Sequence, residues 1–472
     1  GKDSINESKR IVILRQNSFS TNINMDHVVK IKKGLDIQLE GIPSPKISNT
    51  PDSQLYAIIP DDFVGLTPKV IVKPGEKVLT GSPVIHDKTH PNIVVTSPVS
   101  GEIVTIERGE RRKVIKITIK PDASQQALEF GRFDLENMDS SEIKDLLLKS
   151  GIFAFIKQRP YDIVANPDTT PRDIFVTAFD SAPLAPDYAF ILKEEKQHFE
   201  TGLKALNKLT SGKVYVGISQ RQPIDVKNAT SVIFDGPHPA GNVGVQINHI
   251  KPVNKSEVVW VVNPADVIVI GRLFNKGVAD FSRLVVLTGS ETTERGYIKT
   301  ISGCTINSLV SGKIMEGKED LRIISGNVLT GTKVRKDDYL GAYDNQITVI
   351  PEGDKTYDFF GWATPGFGKY SVSHSFFTWL APKSKEYVID ARIKGGKRAM
   401  IMSNEYEKVF PISIYPEYLL KAIIAFDIDK MENLGIYEVA PEDFALCEFV
   451  DTSKIEIQKI VRQGLDLLYK EM

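Results

Sequence analysis

Cysteine is scarce in this 472-residue chain, which contains only Cys304 and Cys447. The two cysteines lie far apart and neither belongs to a Cys-x-x-Cys pair. By itself the chain therefore cannot build a disulfide framework, a zinc site or an iron–sulfur cluster of the usual kind. The seven histidines are dispersed without paired metal-ligand spacing. We expect no metal site, and the cysteine usage is typical of a reducing compartment.

Long hydrophobic runs are also lacking. No apolar stretch approaches the roughly 18 residues that span a bilayer, because the longest candidate, residues 258–274, is interrupted by Asn263, Pro264, Asp266 and Arg272. The formal net charge is only −1, which argues against a nucleic-acid-binding protein with a broad basic face. Any association with a membrane is therefore expected to be peripheral and to occur through a partner.

Neither of the common nucleotide-binding fingerprints occurs in the chain. There is no G-x-G-x-x-G after an apolar strand, and no G-x-x-x-x-G-K followed by Ser or Thr. Without reference to any known family, the sequence therefore predicts a multi-domain α/β protein with no recognisable set of catalytic residues.

The first two parts of the chain differ sharply in composition. Residues 1–25 are polar and are interpreted as an extension, with Met25 as a plausible true start. Residues 26–125 contain short strands and Gly turns that resemble a biotinyl/lipoyl-like β-sandwich. Lys88 takes the position of the modified lysine there, but His90 follows it and the spacing to the next Ser-Pro pair is longer. We expect Lys88 to be unmodified; a lipoyl-type carrier is the alternative.

Residues 126–299 read as an α/β domain. A helix is predicted from Ser140 to Gly151, with its N-cap at Ser140 or Ser141. A second helix is predicted between the first two strands. Apolar runs predict strands at residues 174–179, 214–218, 232–234, 258–262, 267–270 and 284–287. Continuous Val/Ile runs indicate strands buried on both faces, and therefore a largely parallel sheet covered by helices.

The last two parts are a small β-rich module at residues 300–355 and a linker with a helical part at residues 356–472. In the module, short strands are predicted at residues 323–326, 328–331 and 339–341. In the helical part, Tyr418, Leu419, Ala422, Ile423 and Phe426 are predicted to share one apolar face. The basic run at residues 394–398 is interpreted as an exposed turn; a docking surface for an acidic partner or lipid headgroups is the alternative.

One loop stands out as the centre of this organisation. An apolar strand ends near Phe234 and is followed by a rigid sequence rich in Gly and Pro, in which other groups can approach the backbone closely. Ligands and partners commonly bind where such loops leave an α/β sheet. The candidate ligand-site or partner-contact residues are Gly236, Pro237, His238, Pro239, Ala240, Gly241, Asn242 and Gly244. A purely connecting loop is the alternative, and His238 is either a hydrogen-bonding contact or a structural residue.

The sequence from Phe234 to Gly244, Phe-Asp-Gly-Pro-His-Pro-Ala-Gly-Asn-Val-Gly, resembles a motif of the NqrA family, which supplies one of the subunits of sodium-translocating NADH:quinone reductases. Further stretches match in order along the chain, at residues 32–36, 175–180, 269–274, 322–326, 406–411 and 442–450. The resemblance runs from about Val28 to the C-terminus. Several separate motifs in register make it specific.

The resemblance implies a biotinyl-like sandwich, a Rossmann-like domain, a β-grasp module of the soluble-ligand-binding type and a helical C-terminal part. It also implies membership of a respiratory complex that oxidises NADH, reduces quinone and exports Na⁺. The complex as a whole uses flavins, iron–sulfur centres, NADH and quinone. This chain is expected to lie peripherally on the cytoplasmic side of the bacterial inner membrane and to dock on an integral membrane subunit, near the quinone end. The resemblance thereby makes the candidate residues of the loop at 236–244 a candidate quinone site or a contact with that partner.

The sequence differs from a more distant family at a segment that binds cofactors there. The α/β core also resembles the flavin- and NADH-binding subunit of respiratory complex I, which carries an acidic segment at its cofactor site. The corresponding stretch here is Thr177–Pro183, in which Phe179, Ser181 and Ala182 stand where carboxylates are expected. We therefore expect no cofactor in this chain and no catalysis by the chain alone. The alternative is a stand-alone flavin- or nucleotide-dependent oxidoreductase.

Overall fold

A computed structural model describes residues 28–48, 52–315, 317, 320–354, 366–382 and 384–471. The predicted extension at residues 1–25 and the first part of the predicted linker lie outside the described residues. Within those ranges the chain is a mixed α/β protein of several domains, and its strands form four sheets.

The N-terminal domain is a sandwich of two antiparallel sheets. Two short strands precede it, β1 (Val28–Lys30) and β2 (Ile47–Ser48), and both pair with sheets formed later in the chain. The sandwich strands are β3 (Tyr56–Ile58), β4 (Pro68–Val70), β5 (Lys77–Val78), β6 (Pro83–Asp87), β7 (Val94–Thr96), β8 (Gly101–Arg108) and β9 (Val114–Pro121). One sheet has the order β3-β9-β8-β5 and the other β4-β6-β7. Val84, Ile103 and Ile117 are fully buried between them.

Lys88 directly follows β6 in a turn that is built around its neighbour. The buried Asp87 carboxylate accepts backbone N–H groups of Thr67 at 2.6 Å and His90 at 2.8 Å. Lys88 itself is exposed.

The first helix, α1 (Ser140–Lys149), is capped one residue earlier than predicted. Asp139, rather than Ser140 or Ser141, accepts the backbone N–H of Glu142 at 2.9 Å, and the Glu142 carboxylate accepts the N–H of Asp139 at 2.9 Å. An aspartate three residues before a glutamate forms this reciprocal pair, which a serine at position 140 could not form with Glu142.

A seven-stranded sheet forms the centre of the molecule. Its elements follow the chain as β10 (Lys157–Arg159), β11 (Ile163–Val164), β12 (Ile174–Thr177), α2 (Tyr188–Asn207), β13 (Val214–Ser219), β14 (Thr230–Asp235), α3 (Val243–Ile250), β15 (Val259–Val261) and α4 (Pro264–Lys276). The order is β1-β14-β13-β12-β15-β10-β11. The first five strands are parallel to one another, and β10 pairs antiparallel with both β15 and β11. The expectation of a largely parallel sheet is confirmed.

The predicted strand at residues 267–270 is wrong, because these residues lie inside α4. Helix α4 is buried on nearly every side, and it packs so closely on α2 that a Cβ at Gly271 would lie 1.7 Å from the His198 carbonyl oxygen. A short apolar run cannot distinguish a buried helix from a buried strand. Pro264 at the first turn and Gly277 just after the end were the sequence signals of a helix.

A second, mixed sheet follows the central one. It contains β16 (Ser282–Thr288), β17 (Gly296–Ile301), β18 (Leu321–Ser325), β19 (Thr332–Val334) and β20 (Gln346–Pro351), with the short helix α5 (Ile306–Val310). The order is β19-β18-β20-β16-β17-β2. The apolar run at residues 284–287 is a strand, as predicted, but it belongs here and not to the parallel sheet. Of the three strands predicted in the module, only the first coincides with a strand, β18.

The C-terminal part is built from short helices. They are α6 (Tyr406–Val409), α7 (Pro416–Ile424), α8 (Ile428–Asn433), α9 (Ala445–Val450) and α10 (Ile457–Glu471). On the predicted apolar face of α7, Leu419, Ala422 and Ile423 are buried, whereas Tyr418 and Phe426 point outward, contrary to prediction. In the described part of the chain, no helix combines the length and apolarity needed to cross a membrane.

Two strands from the N-terminal part of the chain pair with sheets that belong to other predicted domains. Strand β1, from the predicted sandwich, extends the parallel sheet through Val29 opposite Phe234. Strand β2 extends the mixed sheet beside β17. The boundaries themselves stay predictions, but the N-terminal residues contribute to sheets well beyond the sandwich.

Candidate functional site: a buried joint around His238

The loop singled out in the sequence, residues 236–244 (the 238 loop), links β14 to α3 at the carboxyl edge of the parallel strands. It is largely enclosed by its own chain. Among the candidate residues, His238, Pro239, Ala240, Gly241 and Gly244 are buried, and Gly236, Pro237 and Asn242 are partly exposed. The loop therefore lies inside a joint between domains.

The His238 imidazole is held by a serine from the loop after β12. Ser181 Oγ lies 3.0 Å from His238 Nδ1 and accepts the backbone N–H of Gly241 at 2.8 Å. The Ser181 hydroxyl thus bridges the imidazole and the backbone of the loop. Burial lowers the pKa of His238 to about 4, so the ring is neutral at pH 7.

The backbone of His238 is fixed by the segment after β1. Asp36 Oδ1 accepts the His238 N–H at 2.8 Å, and the His238 carbonyl accepts the N–H of Leu35 at 2.8 Å. A Cβ at Gly34 would lie 2.2 Å from the same carbonyl oxygen, so only glycine permits this approach. The N–H of Gly34 in turn donates to the Lys408 carbonyl at 3.1 Å.

The loop is tied to the central sheet through two polar side chains. Thr177 Oγ1 donates to the Gly241 carbonyl at 3.0 Å. Gln246 Nε2 donates to Thr177 Oγ1 at 2.9 Å and lies 3.3 Å from the Ala240 carbonyl oxygen. Gln246 is buried, and these bonds satisfy its amide N–H groups.

The far side of the loop meets the C-terminal part at Asp443. A Cβ at Gly244 would lie 2.4 Å from both Asp443 carboxylate oxygens, so the carboxylate sits against the first turn of α3. Arg159 Nη1 donates to Asp443 Oδ2 at 3.1 Å and Arg159 Nη2 to Glu442 Oε1 at 2.8 Å. Burial raises the pKa of Asp443, and the Arg159 charge opposes this shift.

The motifs that carry the family resemblance converge on this joint. Three of them contact the 238 loop directly: residues 32–36 through Asp36, 175–180 through Thr177 and 442–450 through Asp443. A fourth, residues 406–411, reaches the joint indirectly, because the Lys408 carbonyl accepts the N–H of Gly34. The motifs at residues 269–274 and 322–326 lie in α4 and β18 instead. Sequence analysis predicted the loop but missed its partners Ser181 and Gln246, and it missed Arg159, which holds Asp443. Asp36 and Asp443 were inside matched motifs, which was the available signal.

Comparison with protein families gives three matches in order along the chain. Residues 29–122 match the NqrA N-terminal barrel-sandwich hybrid domain, residues 138–279 the NqrA second alpha/beta domain, and residues 284–336 the NQRA C-terminal domain. The corresponding subunit of the Na(+)-translocating NADH-quinone reductase of Rhodopirellula baltica is 36% identical over 94% of this chain and 98% of its own. The chain belongs to the NqrA family. NqrA proteins of Yersinia pestis and Neisseria meningitidis are also 36% identical, over 94% of this chain and 100% of theirs.

Solved structures give a much weaker similarity. The H₂-reduced crystal structure of an NAD⁺-reducing NiFe hydrogenase is 10% identical, with a TM-score of 0.36, and the alignment covers 74% of this chain and 67% of that one. The air-oxidised form gives a TM-score of 0.35.

The joint does not fit a nucleotide or flavin phosphate. Such a phosphate would bind at the N-terminus of the helix that follows a parallel strand. At α3 the carboxylate of Asp443 already lies against that turn, and the buried His238 and Phe179 side chains occupy the same edge. Phe179 and Ala182 are both buried in the chain's own core.

Proposed function

We propose that this chain is the peripheral NqrA subunit of a bacterial Na⁺-translocating NADH-quinone reductase, and that it braces the cytoplasmic face of the complex. Its partners are the other subunits, above all an integral membrane subunit on which it docks. The observation that carries the proposal is the convergence of four family motifs on one buried joint, because a brace requires domains held in a fixed relative position.

We also propose that the chain holds no redox centre. The Asp443 carboxylate supports this, since it occupies the place against the first turn of α3 where a phosphate would bind. Both cysteines support it as well: burial raises the pKa of Cys304 and of Cys447, which disfavours the thiolate form that binds iron. Among the described residues, no group of three His, Cys, Asp or Glu side chains is arranged to hold a metal ion.

We further propose that the 238 loop contributes to the quinone end of the reaction by positioning the surface that meets the membrane subunit. The loop is rigid and is bonded from three directions, so a change in it would be transmitted to neighbouring domains. On the fold, we propose that the parallel sheet is Rossmann-like, the mixed sheet a β-grasp module, and the C-terminal part a separate helical unit.

The whole complex provides the test. His238→Ala and Gly241→Val are expected to lower the yield of assembled complex or its quinone reductase activity, with altered sensitivity to quinone-site inhibitors. NADH oxidation with a soluble artificial electron acceptor should persist in whatever complex assembles. Gly396→Val is the matched control, since a Cβ at Gly396 would meet no atom within 4 Å. Unchanged assembly, quinone reduction and inhibitor sensitivity in both variants would refute the role of the loop.

A further inference from the structure

An exposed aromatic surface projects from the stretch between the mixed sheet and the C-terminal helices. A single 3₁₀ turn at Phe377–Leu380 carries most of it. Phe377, Trp379 and Leu380 are 51%, 55% and 66% exposed, and Phe367 is 67% exposed. The rings of Phe367 and Phe377 lie 6.1 Å apart. We name these four residues the aromatic tip.

The turn is fixed from beneath, so its outward apolar side chains are not a consequence of a loose segment. Thr378 is buried, and its Oγ1 donates to the Lys369 carbonyl at 2.8 Å. Nearby, Tyr370 packs against Tyr387 with ring centroids 5.5 Å apart and against Phe449 of α9 at 6.3 Å. The stretch is thereby anchored on the C-terminal part while the aromatic tip faces solvent.

Two lysines lie beside the aromatic tip. Lys385 Nζ donates to the Phe367 carbonyl at 2.5 Å, and Lys369 Nζ lies 5.7 Å from the Phe376 ring centroid. Across residues 366–402 the sequence has seven Lys and Arg residues against two acidic ones, although the whole chain has a net charge of −1. Positive charge is thus concentrated in the same stretch as the exposed rings.

We propose that the aromatic tip inserts into the headgroup region of a membrane that contains anionic lipids. Trp, Phe and Leu favour the boundary between headgroups and acyl chains, and neighbouring Lys and Arg residues are attracted to anionic headgroups. Charge complementarity selects an anionic lipid surface among the possible occupants of this patch. The contact goes beyond docking on a protein partner, because the chain itself supplies a second attachment to the membrane.

Sedimentation with lipid vesicles tests the contact on the full chain alone. We expect at least about tenfold stronger binding to vesicles of phosphatidylglycerol and phosphatidylcholine than to phosphatidylcholine vesicles, and weaker binding at high salt. Trp379→Ser combined with Leu380→Ser should reduce binding to the level of neutral vesicles, whereas Trp379→Phe should retain most of it. Ile115→Ser is the control, because Ile115 is a similarly exposed apolar residue on β9.

Fluorescence gives an independent readout of insertion. The emission of the wild type minus that of Trp379→Phe should shift to the blue with anionic vesicles and be quenched by brominated lipid. Equal binding to both vesicle types, or undiminished binding of the double variant, would overturn the proposal. Binding only to vesicles that carry an integral partner protein would also overturn it and would assign the patch to protein docking. The vesicle assay needs no partner subunit, so a negative result would refute membrane insertion only. The proposed role in the complex is tested separately, by assembly of the complex.

Discussion

Gly241 illustrates how tightly individual residues of the joint are constrained. A Cβ at this position would lie 2.5 Å from the Ser181 backbone nitrogen and 2.8 Å from its Oγ. We expect Gly241→Ala to destabilise the chain by about 1–3 kcal/mol through overpacking. Gly396→Ala, in open space, should change stability by less than about 0.5 kcal/mol. Thermal unfolding of the two variants checks this, and equal stabilities would contradict the packing described here.

His238 gives the joint a defined dependence on pH. Its pKa falls from an ordinary 6.5 to about 4 through burial, so between these values the unfolded chain binds a proton that the folded chain does not. The free energy of unfolding is therefore not reduced by His238 above pH 6.5. It falls by about 3 kcal/mol in all as the pH is lowered towards 4, because protonation favours the unfolded chain.

His238→Asn isolates this contribution from the other groups that titrate in the same range. As the pH is lowered from 7 to 4, the unfolding free energy of the wild type should fall more than that of the variant, because only the wild type carries the histidine. A difference that stays constant with pH would show that His238 titrates normally in the folded protein.

At the scale of elements, Arg159 on β10 connects the central sheet to the C-terminal part. Its side chain is buried, and it pairs with the fully buried Asp443 and with Glu442. Arg159→Met leaves Asp443 without its cation, and we expect a loss of about 3–5 kcal/mol. Hydrogen exchange should accelerate first at residues 441–450.

The pair Lys33–Glu407 is the matched control for Arg159, because it crosses the same joint at 3.2 Å but both side chains are well exposed. Lys33→Met should cost less than about 1 kcal/mol. Adding Asp443→Asn to Arg159→Met should recover part of the loss. If Arg159→Met and Lys33→Met have the same effect, burial does not govern this joint.

The turn after β6 yields a prediction about covalent state. The Asp87 carboxylate accepts the backbone N–H groups of Thr67 and His90, so the turn that carries Lys88 is fixed by hydrogen bonds within the domain. We expect Lys88 to be unmodified, so that peptide mass spectrometry of protein isolated from its host gives the unmodified mass for the peptide that contains Lys88. Added mass of a lipoyl or biotinyl group at Lys88 would restore the carrier interpretation.

Strands and helices could be predicted from the sequence where a single feature, such as a continuous apolar run, had only one structural explanation. Continuous Val/Ile runs at residues 174–179 and 214–218 predicted β12 and β13 because strands buried on both faces have no polar alternation. The run at residues 267–270 failed because α4 is equally apolar all round. The 238 loop was predictable from its Gly and Pro content. Its partner Ser181 and the Arg159–Asp443 pair were not, because contacts between residues far apart in sequence depend on sheet order, which no local pattern encodes.

At the scale of the whole molecule, the two larger of three hydrophobic clusters among the described residues meet at the joint, and the smallest lies under α3. One fills the sandwich and the two later sheets, and includes Val84, Leu203 and Val349. The other joins the segment after β1 and the 238 loop to the C-terminal helices, and includes Ile31, Ala240 and Phe444. The 238 loop thus holds the C-terminal part on the sheets, as a brace requires.

The central claim is that this chain keeps a brace-like α/β architecture and carries no redox centre of its own. The absorption spectrum of the purified full chain, taken both alone and after release from the complex, tests it most directly. We predict protein absorbance only, without the near-ultraviolet and visible bands of a flavin or the broad absorption of an iron–sulfur cluster. A flavin or cluster bound in stoichiometric amount to this polypeptide would contradict the claim.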